Sequence, residues 1–140
     1  MMTNSQRVIA NQKEWIFPAV KPLYDDPVVL SEGEGVRVRD VDNNEYLDLF
    51  SGILTTSVGH CNPNVVARIQ EQITRLGHTS TLYVTEPQIN AAQRLADITP
   101  GNLSQTFFTN SGTEAIETAI HLACMYTGRT EIIALRQAYH

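Results

Sequence analysis

The sequence predicts an α/β protein, because segments with strand periodicity and segments with helical periodicity alternate along its 140 residues. Three stretches carry this prediction: an alternating run from Val36 to Leu47, helical spacing from Asn64 to Gly77, and a strand–helix–strand order from Gln105 to Leu135. The last order is a βαβ unit, whose two strands are expected to be parallel and joined by a right-handed crossover.

The N-terminal part is expected to be an arm followed by a hairpin. Residues 1–30 carry aromatic residues and prolines without a clear period, as in "EWIFPAVKPLYDDPVVL", which favours an extended arm lying on another surface. Apolar and polar residues then alternate from Val36 to Val41, turn at residues 42–44 and resume at Tyr46. This pattern is typical of an antiparallel β-hairpin.

Three helices are expected after the hairpin. The first is "NVVARIQEQITRLG", which ends at Gly77, and the second is "EPQINAAQRLADITPG", which has Pro87 in its first turn. The third runs from about Gly112 to Tyr126, between the short strands "QTFFT" and "EIIAL". The third helix and its two flanking strands form the predicted βαβ unit.

Composition narrows the class of function. The net charge of -5 comes without a basic cluster, which argues against nucleic acid and an anionic membrane surface as partners. No apolar run approaches the roughly 20 residues of a membrane span, and "MMTNSQRVIA" lacks the apolar core of a secretory signal. Cys61 and Cys124 are too few and too far apart to suggest a disulfide scaffold, so both are expected to be reduced. A cytoplasmic enzyme is the resulting expectation.

The turn before the third helix is the first candidate site. Asn110, Ser111, Gly112 and Thr113 stand between an apolar run and an amphipathic helix. They could simply cap the helix. They could also bind an anion, because a helix N-terminus presents unpaired N–H groups and the positive end of the dipole. Gly112 allows close backbone approach, and the two hydroxyls add donors.

An aromatic residue is expected on the same edge of the sheet. The second strand of the βαβ unit ends in "RQAYH", which places Tyr139 and His140 beyond its carboxyl end, where ligands of open parallel sheets bind. Tyr139 could be ordinary packing, or it could lie flat against a planar ligand. An anion turn and an aromatic ring on one edge together favour a flat, phosphorylated cofactor.

From about Gly33 onward, the chain resembles the class III pyridoxal-phosphate-dependent aminotransferases of fold type I. The resemblance is carried by "GEGVRVRDVDNNEYLDLFSG", "VGHCNP", "FFTNSGTEAIETAIHLA" and "AYH". The block "GHTSTLYVTEPQINAAQRLA" is closest in look to the alanine–glyoxylate and omega-amino-acid group. The resemblance implies pyridoxal 5'-phosphate as cofactor, transfer of an amino group to a keto acid such as pyruvate or glyoxylate, and a homodimer or larger homo-oligomer.

The resemblance also implies roles for particular residues. The turn of Ser111, Gly112 and Thr113 matches the one that holds the cofactor phosphate. Tyr139 matches the aromatic residue that stacks on the pyridine ring, and His140 matches the histidine that often follows it.

Substrate contacts are implied in an earlier segment. The stretch "SGILTTSVGH" matches the substrate entrance, so Ile53 and Leu54 are candidates for contacting substrate, as is Tyr24. One departure is visible, because Asn62 stands where many relatives have a second histidine. We expect this difference to be local and to affect no catalytic role.

The family's catalytic lysine has no counterpart here, because the only lysines, Lys13 and Lys21, lie in the N-terminal arm. Such enzymes need a lysine that forms a Schiff base with the cofactor and a carboxylate near the pyridine nitrogen. The chain therefore resembles the first third of an enzyme and is expected to be inactive alone. The expected divisions are an arm and hairpin of the small domain at 1–60, a helical connection at 61–103, and the start of the cofactor domain at 104–140.

Alternative interpretations remain open at this point. The isolated chain could be a non-catalytic module that binds a phosphorylated ligand or another protein, and the family also includes mutases and decarboxylases.

Other polar residues are not expected to form a separate site. His60, Cys61 and His78 lack a recognised zinc spacing. Glu114 and Glu117 suit the dipole of the helix they begin. The acidic residues of the hairpin are expected to be structural or surface residues and not a carboxylate pair: Asp40, Asp42 and Asp48.

Overall fold

A computed structural model of the chain describes residues 2–139. Their contacts form two units, one ending at Thr79 and one beginning at Ser80. The first contains α1, three strands, a short turn α2, and α3, whereas the second contains α4 and α5. The division at 1–60, 61–103 and 104–140 stays a prediction.

The first unit begins with α1, Asn4–Trp15. Thr3 caps this helix: its hydroxyl accepts from the Gln6 N–H, and the Gln6 side chain accepts from the Thr3 N–H, which is a complete capping box. The expectation of an extended arm over residues 1–30 is therefore wrong for α1, because Thr-x-x-Gln is a helix start signal. Residues 16–29 form neither helix nor strand.

A three-stranded antiparallel sheet follows, with β1 at Leu30–Glu34, β2 at Arg37–Asp40 and β3 at Glu45–Leu47. The sheet order is β1-β2-β3, so both neighbours pair with β2. The predicted hairpin is confirmed as β2 and β3, whereas β1 was not predicted as a strand. Side chains alternate along β2, with Val38 and Asp40 buried and the two arginines exposed.

The turn between β2 and β3 is built on Asp40. Its carboxylate accepts from the backbone N–H groups of Asp42 (2.9 Å) and Asn44 (2.8 Å). It also accepts from the Asn44 side chain (2.9 Å) and the Tyr46 hydroxyl (2.8 Å). Asn43 supplies the left-handed conformation that the turn requires, with φ of 69°. Asp40 is thus a satisfied buried carboxylate and not a member of an acid–base pair.

Asp42 connects the same turn to α1. Its carboxylate accepts from the N–H groups of Asn4 (3.1 Å) and Ser5 (3.2 Å) and from the Ser5 hydroxyl (2.5 Å). A carboxylate here pairs with amides that have no partner inside the helix and with the positive end of its dipole. Asp42 therefore holds α1 on the hairpin.

The three predicted helices are confirmed, as α3 at Pro63–Arg75, α4 at Glu86–Ile98 and α5 at Gly112–Thr127. Asn62 caps α3, with its side-chain oxygen 3.1 Å from the Asn64 nitrogen. Gly128 ends α5 in the left-handed region with φ of 67°, as expected for a glycine that terminates a helix. None of the helices in the described residues is long and apolar enough to span a membrane.

The strands expected on either side of α5 are not formed. Residues 105–109 and 131–135 have no strand conformation, and no backbone hydrogen bond joins one segment to the other within residues 2–139. The physical reason is that a strand exists only when a neighbour satisfies its backbone groups, and β-propensity alone does not provide one. This corrects the βαβ expectation in that detail, and Ile133 is accordingly 99% exposed.

Apolar side chains are largely uncovered within each unit. Val38 is the one buried hydrophobic residue among residues 2–139. Along α3, one exposed stripe recurs at helical spacing, formed by Val65, Ile69, Ile73 and Leu76. Contiguous apolar surface of this kind marks a contact area in soluble proteins.

We therefore expect the 140-residue chain, expressed alone, to associate. Light scattering should report oligomers or aggregates, and Ile69→Glu on the exposed stripe should reduce their mass more than Thr74→Glu elsewhere on α3. A monodisperse monomer that unfolds cooperatively would contradict this expectation.

Acid should weaken the hairpin. Hydrogen bonding, first from the Asn44 side chain, lowers the pKa of Asp40 below its ordinary 3.8, and the Ser5 side chain does the same for the pKa of Asp42. A carboxylate whose folded pKa is depressed contributes stability above its unfolded pKa, and this stability is lost as pH falls through the folded pKa.

Asp40→Ala should consequently be less stable at neutral pH and should lose less further stability below pH 3.8 than the parent. The test uses the complete protein that contains this chain. Its thermal unfolding at neutral and at acid pH measures the difference in stability between the parent and Asp40→Ala. Asp26→Ala is the matched control, because that exposed side chain accepts no hydrogen bond among the described residues. Equal acid sensitivity of the parent and Asp40→Ala would contradict the assignment.

Candidate functional site

The first candidate site is the start of α5, where Ser111 is the capping residue. Ser111 has extended backbone, with φ of -153° and ψ of 161°. Its hydroxyl oxygen accepts from the Glu114 N–H at 3.2 Å, and its carbonyl accepts from the Ala115 N–H at 3.1 Å. The capping interpretation of this turn is therefore correct for Ser111.

Capping leaves two backbone donors available. The N–H groups of Gly112 and Thr113 make no hydrogen bond within residues 2–139, because they belong to the first turn of α5 and have no carbonyl before them. Both lie at the positive end of the dipole of a 16-residue helix. Gly112 is not among the described glycines with positive φ, so the backbone conformation does not require a glycine here. What the missing side chain offers is room for an anion to come close to the backbone.

An acidic side chain completes the turn. The Glu114 carboxylate accepts from the backbone N–H of Asn110 (2.7 Å) and from its side-chain amide (3.1 Å). Glu114 therefore uses the donor one residue before the cap and leaves the amides of Gly112 and Thr113 to another acceptor. Two free amides, two hydroxyls and a helix dipole form a donor set that fits a phosphate group.

Tyr139 lies in the same unit as this turn. It follows a tight turn in which the Ala138 N–H donates to the Leu135 carbonyl (3.2 Å), and its side chain is 84% exposed. An aromatic ring of this kind has the flat shape that stacks against a planar group. His140, the other predicted member of this site, lies outside the described residues.

The second candidate region is α2, Ser51–Leu54, in the first unit. All four of its residues have positive φ: 50° at Ser51, 57° at Gly52, 59° at Ile53 and 64° at Leu54. Left-handed backbone costs roughly 1–2 kcal/mol for each residue with a side chain, and a β-branched residue such as Ile53 is the rarest case. The exposed side chains of Ile53 and Leu54 therefore project from a strained turn.

Asp48 stabilises the start of this turn. One carboxylate oxygen accepts from the N–H groups of Phe50 (2.9 Å) and Ser51 (2.8 Å), and the other lies 2.6 Å from His60 Nε2. The hydrogen bond with His60, followed by those from Ser51 and Phe50, lowers the pKa of Asp48. The ionised carboxylate can only accept, so Nε2 carries the proton in this contact.

His60 is itself fixed by the sheet. Its backbone N–H donates to the Gly35 carbonyl (2.8 Å), and its carbonyl accepts from the Gly35 N–H (2.9 Å). Its ring lies over Gly33, where an added Cβ would come within 2.9 Å of the ring. The absence of a side chain at Gly33 is therefore what lets the imidazole reach Asp48.

The Asp48–His60 pair was missed by sequence reasoning. Asp48 was expected to be a hairpin or surface residue, although Asp followed two residues later by an aromatic-Ser-Gly turn is a signal for side-chain capping of a turn. His60 was considered only as a metal ligand. No group of three residues suited to a metal ion occurs in the described part of the chain.

The predicted site residues thus divide between the two units. The structure brings together Ser111, Gly112 and Thr113 as one turn, with Tyr139 in the same unit. The predicted substrate residues, Ile53, Leu54 and Tyr24, belong to the other unit, where Tyr24 is exposed in a segment without helix or strand.

Known proteins match most of the chain. The model of the family "Aminotransferase class-III" matches residues 20–140. An acetylornithine aminotransferase of Methanopyrus kandleri is 50% identical over 114 residues, which are 81% of this chain and 29% of the relative. Alanine–glyoxylate aminotransferase 2, mitochondrial, of Pongo abelii is 42% identical over 134 residues, or 96% of this chain and 26% of the relative.

Solved structures of transaminases also match the fold of the chain. The (S)-enantioselective omega-transaminase of Thermomicrobium roseum superimposes with a TM-score of 0.77 at 32% identity, covering 90% of this chain and 30% of that one. The chain therefore spans less than a third of the length of these relatives. Since the family model matches most of its residues, the chain belongs to the class III aminotransferases.

Proposed function

We propose that this chain is the N-terminal part of an aminotransferase that moves an amino group from an amino acid or amine to a keto acid such as pyruvate or glyoxylate. The observation that carries this proposal is the start of α5, where the amides of Gly112 and Thr113 have no partner within the described residues. The relatives described above support it, since all three are aminotransferases or transaminases.

Membership of the class III family implies pyridoxal phosphate as the cofactor. The amides of Gly112 and Thr113 would bind its phosphate, with the hydroxyls of Ser111 and Thr113 as further donors. Tyr139 would stack on its ring, and His140 is the residue that follows Tyr139 in the sequence. When bound, the cofactor supplies an aldehyde that reacts with amino groups and a ring that withdraws electrons from the neighbouring carbon.

The substrate residues act by shape and not by proton transfer. Ile53 and Leu54 carry no titratable group and are 64% and 81% exposed, so they offer apolar contact to a substrate side chain. Tyr24 offers an aromatic surface with a hydroxyl. This assignment rests on the resemblance of "SGILTTSVGH" to the substrate entrance of the family.

Assembly and location follow as proposals from the same reasoning. The exposed apolar surfaces of both units favour a homodimer or larger homo-oligomer, or association with the remaining part of the same protein. The proposed location is the cytoplasm, as expected from the sequence, although one relative is mitochondrial.

The isolated chain has a second candidate function, as a non-catalytic module that binds a phosphorylated ligand. The observation in its favour is that Lys13, in the last turn of α1, and Lys21, shortly after it, are the lysines of the sequence, and both lie before the blocks that carry the resemblance. A chain with the phosphate turn but without a matching lysine could bind the cofactor without using it.

Substitutions at the phosphate turn should weaken cofactor binding in the complete aminotransferase. Gly112→Val places a side chain where the phosphate approaches, whereas Thr113→Ala removes one hydroxyl and keeps the N–H. A hydrogen bond to a charged group contributes roughly 1.5–3 kcal/mol, so Gly112→Val should reduce affinity for pyridoxal phosphate by about ten- to a hundredfold. Thr113→Ala and Tyr139→Ala should each have a smaller effect, which titration with the cofactor measures.

The control is Asn62→Ala, which removes the cap of a different helix. It should lower thermal stability without changing cofactor affinity. If Gly112→Val folds and binds pyridoxal phosphate as tightly as the parent, the turn only caps α5 and the phosphate site is elsewhere.

The 140-residue chain alone should not catalyse transamination, because neither lysine matches the residue that binds the cofactor covalently in the family. The chain is incubated with pyridoxal phosphate, alanine and a keto acid, and product is compared with that formed by the free cofactor. Product above this background would contradict the expectation. The Lys13→Arg and Lys21→Arg variants would then identify any lysine responsible.

A further inference from the structure

The turn α2 requires an external restraint. Ser51, Gly52, Ile53 and Leu54 follow one another with positive φ, and only one of the four is glycine. Residues with side chains keep such backbone only when surrounding interactions hold them there, and segments of this kind cluster at functional sites. The exposed side chains of Ile53 and Leu54 provide little packing of their own.

Hydrogen bonds around the turn, such as the one from the Thr56 N–H to the Ser51 carbonyl, hold part of its backbone. The restraint from outside the turn is the carboxylate of Asp48. It accepts three hydrogen bonds: from the N–H of Phe50 (2.9 Å), the N–H of Ser51 (2.8 Å) and Nε2 of His60 (2.6 Å). The backbone of Asp48 is fixed as well, because its N–H donates to the Val36 carbonyl at 2.9 Å. Asp48 therefore fixes the two amides that begin the turn to the end of the sheet.

His60 holds that carboxylate in one orientation. The side chains of Asp48 and His60 are 14% and 24% exposed, so the contact between them is largely shielded from water. The paired hydrogen bonds between His60 and Gly35 keep the imidazole at the sheet. Removing the imidazole would leave the carboxylate free to rotate and to release one of the two amides.

We propose that the Asp48–His60 pair positions the α2 turn and, through it, determines which amino donors Ile53 and Leu54 admit. The donor-selection part rests on the proposed function, because it requires these two side chains to contact substrate. Asp48 and His60 act through the turn and are positioning residues that do not touch substrate. The pair joins two residues that are twelve positions apart and lie on either side of α2 in the sequence.

The variants are made in the complete, cofactor-loaded aminotransferase. Asp48→Ala removes all three hydrogen bonds, and His60→Ala removes one of them. His60→Gln restores an amide donor at a similar reach. Asp42→Ala is the matched control, because Asp42 also accepts from two backbone N–H groups and one side chain, but at α1.

Two measurements separate positioning from general stability. Hydrogen exchange of residues 50–56 should accelerate at least about tenfold in Asp48→Ala and His60→Ala, with His60→Gln close to the parent and Asp42→Ala unchanged in this segment. The ratio of kcat/KM between a small and a large amino donor should change by about ten- to a hundredfold in Asp48→Ala, since a displacement of about 1 Å has effects of that size. Cofactor affinity should stay within about twofold, because the phosphate turn is untouched.

The outcomes are distinguishable. Unchanged exchange in residues 50–56 of a folded Asp48→Ala or His60→Ala protein overturns positioning. Accelerated exchange with an unchanged donor ratio overturns donor selection. A parent protein that binds no pyridoxal phosphate and forms no product overturns the proposed function and donor selection with it, whereas exchange still decides positioning. If Asp48→Ala does not fold, His60→Ala, which should accelerate exchange and change the donor ratio, and His60→Gln, which should stay close to the parent in both, decide both parts.

Discussion

Carboxylate oxygens that accept from backbone N–H groups organise the first unit. Asp40 builds the β2–β3 turn, Asp42 attaches α1 to that turn, and Asp48 holds the start of α2. Apolar burial cannot take their place, because Val38 is the one hydrophobic residue buried among residues 2–139. The unit therefore depends on directional interactions, which determine geometry more strictly than non-directional apolar contact does.

The two candidate sites use backbone in opposite ways. At α5 the useful groups are amides left without partners, so the site exists because a helix begins there. At α2 the amides of Phe50 and Ser51 are engaged by Asp48, and what the turn offers instead is an unusual direction for the side chains of Ile53 and Leu54. The α5 site is thus a set of hydrogen-bond donors, whereas the α2 site is an apolar contact surface.

Most features determined by local sequence could be predicted, with α1 as the exception, and features determined by distant contacts could not. The helices α3 and α5 follow from apolar spacing and from Gly128 at the end of α5, and the turn proposed to bind phosphate could be located because its three residues are consecutive. The helix α1 was missed although its Thr-x-x-Gln capping box is also local, since prolines and aromatics further along dominated the interpretation. The Asp48–His60 contact joins two residues twelve positions apart, and no spacing rule indicates it. Strand formation at residues 105–109 depends on a neighbouring strand, which propensity cannot supply.

The β2–β3 hairpin has a consequence for the order of events during synthesis. Its register pairs Arg37 with Leu47 and Arg39 with Glu45, so every partner in it is close in sequence. Hairpins form in roughly 1–10 μs, whereas a ribosome adds about 5–20 residues per second. Once Leu47 has left the exit tunnel, the hairpin can close before the next residue is added. The turn at Asp40 then offers Asp42 as a preformed docking point for α1, the segment that emerged earlier and had no partner until that moment.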